Sequence, residues 1–184
     1  MRELALHLLD IAENSVAAKA RNITIRVEED SRTDLLRLVV QDDGVGMPLE
    51  VVAQVTDAFY TTRTTRKVGL GIPLLKLAAE ACNGSLVVGS QVGKGTCITV
   101  QFQRSHIDRM PLGDLPSTFL SLLITSPQIH WNFIYAVDGQ VFDFDDQPIK
   151  ECLDGVSLTE PDVLTFLREM LQSGVHELQH SGSF

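Results

Sequence analysis

Cysteine, aromatic side chains and long apolar runs are all scarce in this 184-residue chain. Runs such as Val39-Val40 and Leu122-Leu123-Ile124 are far shorter than the ~20 apolar residues a membrane span needs, so no spanning helix is expected. The amino terminus is broken by His7, Asp10 and Glu13 and does not read as a signal peptide. Cys82, Cys97 and Cys152 are odd in number, widely spaced and form no C-x-x-C pair, so neither a disulfide framework nor a cysteine zinc site is indicated. The expectation is a reduced, cytoplasmic protein. No stretch is poor enough in apolar residues to be disordered, and the length suits one domain with, at most, an appendage.

The charge that is present is unevenly placed. The net charge is −9; residues 1–104 hold 12 basic and 12 acidic side chains, and residues 105–184 hold 3 and 12. This asymmetry suggests two parts, 1–104 and 105–184, with different jobs. An acidic second part disfavours nucleic acid and an anionic membrane as partners. It serves either to keep the chain soluble or to dock onto a basic surface of a partner protein.

Hydrophobic periodicity predicts a helix over 2–19, where Leu4, Leu8, Ile11, Ser15 and Ala18 recur at helical spacing. Beside that stripe runs a polar one of Glu3, His7, Asp10 and Asn14. Residues 22–28 alternate as a strand, and 35–41 are a β-branched strand ending in Asp42-Asp43-Gly44-Val45-Gly46. A short helix is expected over 48–55, a polar loop over 56–68, and a second helix over 72–82 that stops at Asn83-Gly84. Two strands, 85–90 and 96–102, form a hairpin. Beyond residue 104 the pattern predicts a helix near 113–124, strands near 129–136 and 140–144 joined at Asp138-Gly139, and a helix near 160–172. The fold class is α+β: a two-layer sandwich of a mixed, mostly antiparallel sheet with helices on one face, and a small C-terminal α+β appendage.

Three clusters in the first part carry chemistry. Gly69 and Gly71, just before a helix, leave backbone N–H groups free to face an anion. Asp42, at a strand end, can accept a hydrogen bond from an exocyclic amine, and Gly44 and Gly46 let a flat ring approach the backbone. Asn14 offers a neutral oxygen suited to Mg²⁺ when phosphates and waters complete the shell. Asp10 shares its helix face and could hold a water or take a proton from an attacking hydroxyl. Arg63, Arg66 and Lys67 in the polar loop could clamp a terminal phosphate.

Together and in this order these segments resemble the histidine-kinase-like ATPase superfamily, the GHKL or Bergerat-fold proteins. The N-box is similar to Glu13-Asn14-Ser15. The adenine motif D-x-G-x-G is similar to Asp42, Gly44 and Gly46, the second glycine box to Gly69-Leu70-Gly71, and the closing G-x-G-T to Gly93-Lys94-Gly95-Thr96. The segment 57–63 resembles the lid of the kinases. The resemblance covers about residues 1–103. It implies ATP and Mg²⁺ bound under a lid, with Asp42 on adenine, Asn14 on the metal and Thr96 assisting through water.

The chain also departs from that family. Ala17 stands where histidine kinases often carry a basic residue, and Asp10 stands where related serine kinases, gyrases and mismatch-repair ATPases carry Glu. Only 13 residues precede Asn14, too few for the helix hairpin that bears a sensor kinase's phosphoacceptor, so a self-contained sensor kinase is not expected. His7 reads as a surface or lid-contacting side chain. His176-Glu177-Leu178-Gln179-His180 matches a zinc-protease motif, but with four residues after it and Gly174 before it, it reads as a solvated terminal turn. Phe119, Leu120, Leu122 and Leu123 read as core; the alternating Trp131, Phe133 and Tyr135 share one sheet face, as core or as an exposed docking patch. Asp143, Asp145 and Asp146 read as a solvated acidic turn. Two functions stand open. One is an ATP-dependent protein kinase, histidine or serine, or a slow ATPase, acting on a separate partner. The other is an ATP-switched, anti-sigma-like binding module with little turnover. A homodimer is compatible with either.

Overall fold

Alternate residues of the strand segments are apolar, and burial follows that alternation. The computed structural model describes residues 3–56 and 71–181. In β1 (Asn22–Asp30) Ile23, Ile25 and Val27 are buried; in β2 (Leu35–Asp42) Leu36, Leu38, Val40 and Asp42 are. The hairpin β3 (Ser85–Gln91) and β4 (Gly95–Gln103) adds Ile98, Val100 and Phe102 to the same face. Strands β5 (His130–Val137) and β6 (Gln140–Asp145) follow later in the chain. The six strands form one sheet in the order β3-β4-β2-β1-β5-β6. All neighbours pair antiparallel except β1 and β5, which run parallel from Asn22↔His130 to Glu29↔Val137. The sheet is thus mixed and mostly antiparallel, as the pattern predicts.

Helices cover the buried face. They are α1 (Leu4–Ala17), α3 (Gly71–Ala81), α4 (Leu115–Thr125) and α6 (Pro161–Ser181). Two short helices, α2 (Leu49–Gln54) and α5 (Gln147–Leu153), lie in connections. Helix α1 packs on β1 and β2 and touches both α3 and α4. On the opposite face Arg37 and Arg26 pair with Glu28 at 3.3 and 3.2 Å. These exposed pairs fix side-chain direction more than they stabilise.

Residues beyond 104 continue the same sheet and core. Trp131, Phe133 and Tyr135 are 4%, 2% and 0% exposed and share the helix-covered face, together with Phe119 and Leu122 of α4. The Phe119 ring stacks on Phe133, and the Tyr135 hydroxyl donates to Glu29 Oε1 at 2.7 Å. The connection also closes the start of α1: Leu4 N–H donates to Pro111 O at 3.0 Å and Ala5 N–H to Leu112 O at 2.8 Å. Two amides that a helix leaves unpaired at its start are satisfied there.

Three expectations need correction. The last helix does not end near 172 but runs to Ser181. Gly174, expected to precede a solvated terminal turn, lies inside it against the Phe142 ring; a β carbon there would sit 2.2 Å from Phe142 Cε2. The sequence pattern also lacks α5, whose seven residues are too few to show a period. Asp146 is not solvated: it is 2% exposed, its Oδ1 accepts from Trp131 N–H at 3.0 Å, and Lys150 Nζ lies 2.6 Å from its Oδ2.

Candidate functional site

Asp42 is the last residue of β2 and faces the helix side of the sheet, 8% exposed. Three donors hold its carboxylate. Gly44 N–H and Thr96 N–H donate to Oδ1 at 2.9 and 3.2 Å, and the Ser15 hydroxyl donates to Oδ2 at 2.5 Å. The register Asp42↔Thr96 places the Thr96 amide there. The carboxylate is therefore fixed before any ligand arrives, with Oδ2 retaining acceptor capacity.

The glycines serve the seat of this loop as well as room beside it. A β carbon on Gly44 would lie 2.7 Å from Ala18 O, at the end of α1. Gly46 has φ +66°, and a β carbon there would lie 2.0 Å from Gln91 O. Val45 N–H donates to Ala18 O at 2.9 Å, and Gly93 N–H to Val45 O at 2.8 Å. The Asp42–Gly46 segment is thus wedged between α1 and the β3–β4 hairpin, where only glycine fits at 46.

Asp10 and Asn14 lie half-buried one turn apart on α1. Asp10 faces the start of α3: its Oδ2 is 3.2 Å from the position of a Gly71 β carbon. The structure gathers Ser15, Gly44 and Thr96 on Asp42, with Gly46 in the same loop, and sets Asp10 against Gly71, with Asn14 one turn further along α1. Arg63, Lys67, Gly69 and Leu70, with the polar loop, lie outside the described residues. Chemically the arrangement offers a fixed acceptor for an amine, an acid–base carboxylate at a helix start, and a neutral oxygen on Asn14 of the hard kind that Mg²⁺ takes.

His7 departs from its expected place. It is 3% exposed, inside the helix layer, and Nδ1 has no hydrogen-bond partner among the described residues. Burial, chiefly, pulls its pKa below 6.5, so the ring is held neutral. A ring so enclosed is not a surface side chain; the lid segment that the other expectation names lies outside the described residues.

Ser15 stands in the N-box, but the sequence alone gives it no contact of its own. Its spacing sets it in the apolar stripe of α1, yet a hydroxyl on a buried helix face must find a partner. That requirement is the signal that could have found it. Asp43 is a similar case. Its Oδ1 accepts from Arg21 N–H and Asn22 N–H at 2.7 and 2.9 Å, and its Oδ2 from Asn22 Nδ2 at 2.6 Å. Burial works against its ionisation, but these hydrogen bonds prevail and hold its pKa below the ordinary value. From Asn22 Oδ1 the network continues to His130 Nδ1 at 3.0 Å and from His130 Nε2 to Asp145 Oδ1 at 2.8 Å. The residue beside Asp42 is thereby tied to β5 and β6.

His130, Asp145 and Asp146 have the spacing of a metal site, with ligand atoms within 4.8 Å of one another. Each already has protein partners, and the Lys150 ammonium occupies the charge-balancing position at Asp146. His176 and His180 are exposed on α6, their rings stacked one turn apart. A groove by Asp34, Asn83, Ser85, Gln101 and Gln103 lies at the far end of β2 from Asp42. Its polar groups bond each other, with Gln103 Nε2 donating to Asp34 Oδ2 and Asn83 Nδ2 to Gln103 Oε1.

Comparison with known proteins agrees with this geometry. The family model described as "Histidine kinase-, DNA gyrase B-, and HSP90-like ATPase" matches residues 1–106. The sensor protein kinase FleS of Pseudomonas aeruginosa is 38% identical over 93 residues, covering 50% of this chain and 23% of that protein. A putative NtrY-like sensor histidine kinase of Rickettsia conorii is 26% identical over 108 residues, covering 59% and 18%. The chain thus spans about a fifth of the length of these curated relatives. In fold it is similar to the N-terminal domain of a DNA repair protein, with a TM-score of 0.55, 13% identity, and coverage of 78% of this chain and 52% of that one. It is similar as well to the ATPase domain of Aquifex aeolicus MutL, with a TM-score of 0.50, 16% identity, and coverage of 84% and 68%. On the family match over more than half its length, the chain belongs to the histidine kinase-, DNA gyrase B- and HSP90-like ATPase family.

Proposed function

We propose that this protein binds Mg-ATP at the ends of α1, α3 and β2 and uses it on a separate partner protein, as a protein kinase. The observation that carries this reading is the Asp42 carboxylate, fixed by Ser15 of α1, Gly44 and Thr96, with Asp10 of the same helix set against the start of α3 at Gly71. Asp42 accepts the exocyclic amine of adenine. Thr96 assists beside it, and Gly44 and Gly46 keep the loop seated. The start of α3 at Gly71, with Gly69 and Leu70, offers amides to the phosphates, and Arg63 and Lys67 complete the phosphate contacts. Asn14 is the residue that would hold Mg²⁺, an ion that neutralises developing charge on transferring phosphates. Asp10 is the candidate base, taking the proton of an attacking hydroxyl.

Relatives and neighbours support the nucleotide. The similar MutL domain was solved with ADP, and the curated relatives are sensor kinases. Residues 1–104 are assigned the nucleotide, and residues 105–184, with 12 acidic side chains against 3 basic, the docking of a partner with a basic surface. The described residues hold no helix long and apolar enough to cross a membrane.

A second reading is an ATP-switched binding module with little turnover. It is favoured by Ala17, an exposed methyl where histidine kinases often place a phosphate-contacting cation. γ-Labelled ATP separates the two when supplied with proteins that co-purify with the chain. Label passing to a second protein, and lost in Asn14→Asp, is the kinase result. ATP-dependent association with no label moved is the switch result.

A further inference from the structure

Ser90 and Thr96 face each other across the hairpin, in the register pair next to Asp42. Ser90 Oγ takes part in three hydrogen bonds. It accepts from Met47 N–H at 2.8 Å, just past the Asp42–Gly46 loop. It donates to the carbonyl oxygen of Gly95 at 2.9 Å. The third links it to Thr96 Oγ1 at 2.8 Å. A hydroxyl has one proton and two acceptor lone pairs. A carbonyl only accepts, so the proton of Ser90 is used on Gly95. The bond between the two hydroxyls must then be donated by Thr96.

The consequence lies on the pocket side. With its proton turned to Ser90, the Thr96 hydroxyl has only lone pairs left to offer. Its neighbour Asp42, whose Oδ1 takes the Thr96 amide, is a carboxylate and also only accepts. Both polar groups at this end of the pocket therefore seek donors. We propose that Ser90 is a positioning residue for base selection: it fixes the proton of Thr96 away from the pocket, so that the site takes a purine with an amine at position 6 and rejects one with a carbonyl there. A 6-amino group supplies two N–H donors to such a wall, directly or through water. A 6-oxo group places a third acceptor against two, and one unsatisfied contact of that kind is enough to discriminate. Without Ser90, the Thr96 hydroxyl is free to rotate and donate to a 6-oxo group.

This inference rests on the Mg-ATP reading, and its test keeps the two apart. ATP and inosine triphosphate, which differ at position 6 and in the proton that the 6-oxo ring carries on the adjoining N1, are titrated calorimetrically with Mg²⁺ into wild type, Ser90→Ala and Ser90→Thr. Wild type is expected to prefer ATP. Ser90→Ala is expected to cut that preference about tenfold, the effect of one misdirected hydrogen bond, mainly through tighter binding of inosine triphosphate. Ser90→Thr, which keeps the hydroxyl, is expected to restore the preference. Equal weakening of both nucleotides in Ser90→Ala would show a merely structural serine and overturn the inference while leaving the nucleotide reading intact. Absence of saturable binding of either nucleotide to wild type would overturn both. Should Ser90→Ala fail to fold, Ser90→Cys keeps the volume with a weak acceptor and is expected to move the ratio the same way; an unchanged ratio there overturns the inference.

Discussion

At the scale of single residues, the account turns on polar atoms that burial forces into fixed partnerships. Ser15 is the clearest. It is 4% exposed, and its hydroxyl reaches Asp42 Oδ2 across 27 residues of sequence. Removing it leaves a buried carboxylate oxygen with one donor fewer. Ser15→Ala is expected to lower stability by about 1.5–3 kcal/mol, the range for hydrogen bonds to charged groups, read as a shift in the urea midpoint at constant slope. A change within error would mean the carboxylate is held by its two backbone donors alone. Asp42, Asn14 and the glycines were legible in the sequence because their types and order are unusual together. The contacts of Ser15, Ser90 and Asp43 were not, because a serine or a second aspartate has no periodic signature, and its partner appears only when a distant segment is brought to it. His7 was misplaced for a related reason: helical spacing put it with the polar stripe, but packing of α1 against its neighbours encloses that edge of the stripe as well.

At the scale of elements, strand alternation and helix periodicity were enough for β1 to β6, α1, α3 and α4. What they could not give was the behaviour of a glycine inside a helix. Gly174 costs α6 about 1 kcal/mol of helix propensity relative to alanine, so a free helix would gain from Gly174→Ala. Here the Phe142 ring fills the space, with three ring atoms 2.2–2.5 Å from the missing β carbon. Gly174→Ala is therefore expected to destabilise the protein by about 1–3 kcal/mol, the usual result of overpacking. In a Phe142→Leu background the same substitution is expected to cost less, or to stabilise. A higher melting temperature for Gly174→Ala alone would show that α6 does not lie on β6 as described.

At the scale of the whole molecule, charge is arranged around a sheet that both parts of the chain share. The acidic excess of residues 105–184 was legible from composition; that β5 would pair parallel with β1 was not, since a strand's neighbour across a hundred residues leaves no local trace. The titrating groups set the response to acid. The carboxylates Asp30, Asp34, Asp43, Asp138 and Asp145 all have folded pKa values below the ordinary 3.8, through hydrogen bonds to backbone and side-chain donors that outweigh any burial. Their stabilisation is present above 3.8 and is lost as pH falls through the depressed folded values. His7, lowered from 6.5 mainly by burial, acts in the same direction from a higher pH: its contribution is complete above 6.5 and declines as the unfolded chain begins to protonate. Asp146, raised chiefly by burial, acts oppositely, since its buried charge becomes a cost as pH rises through its folded value. The melting temperature is thus expected to begin falling below about pH 6.5, and to fall further below pH 4. His7→Phe is expected to remove the upper part of that decline and leave the lower part. A profile flat down to pH 4 in wild type would contradict the burial of His7.

The central claim is a nucleotide seated against a carboxylate that the fold has already fixed. Calorimetric titration of Mg-ATP into wild type and Asp42→Asn, with matched circular dichroism to show that both are folded, tests it most directly. Saturable binding at one site per chain in wild type, lost in Asp42→Asn, is the expected result; no saturable heat in wild type, or undiminished binding in the variant, would contradict it.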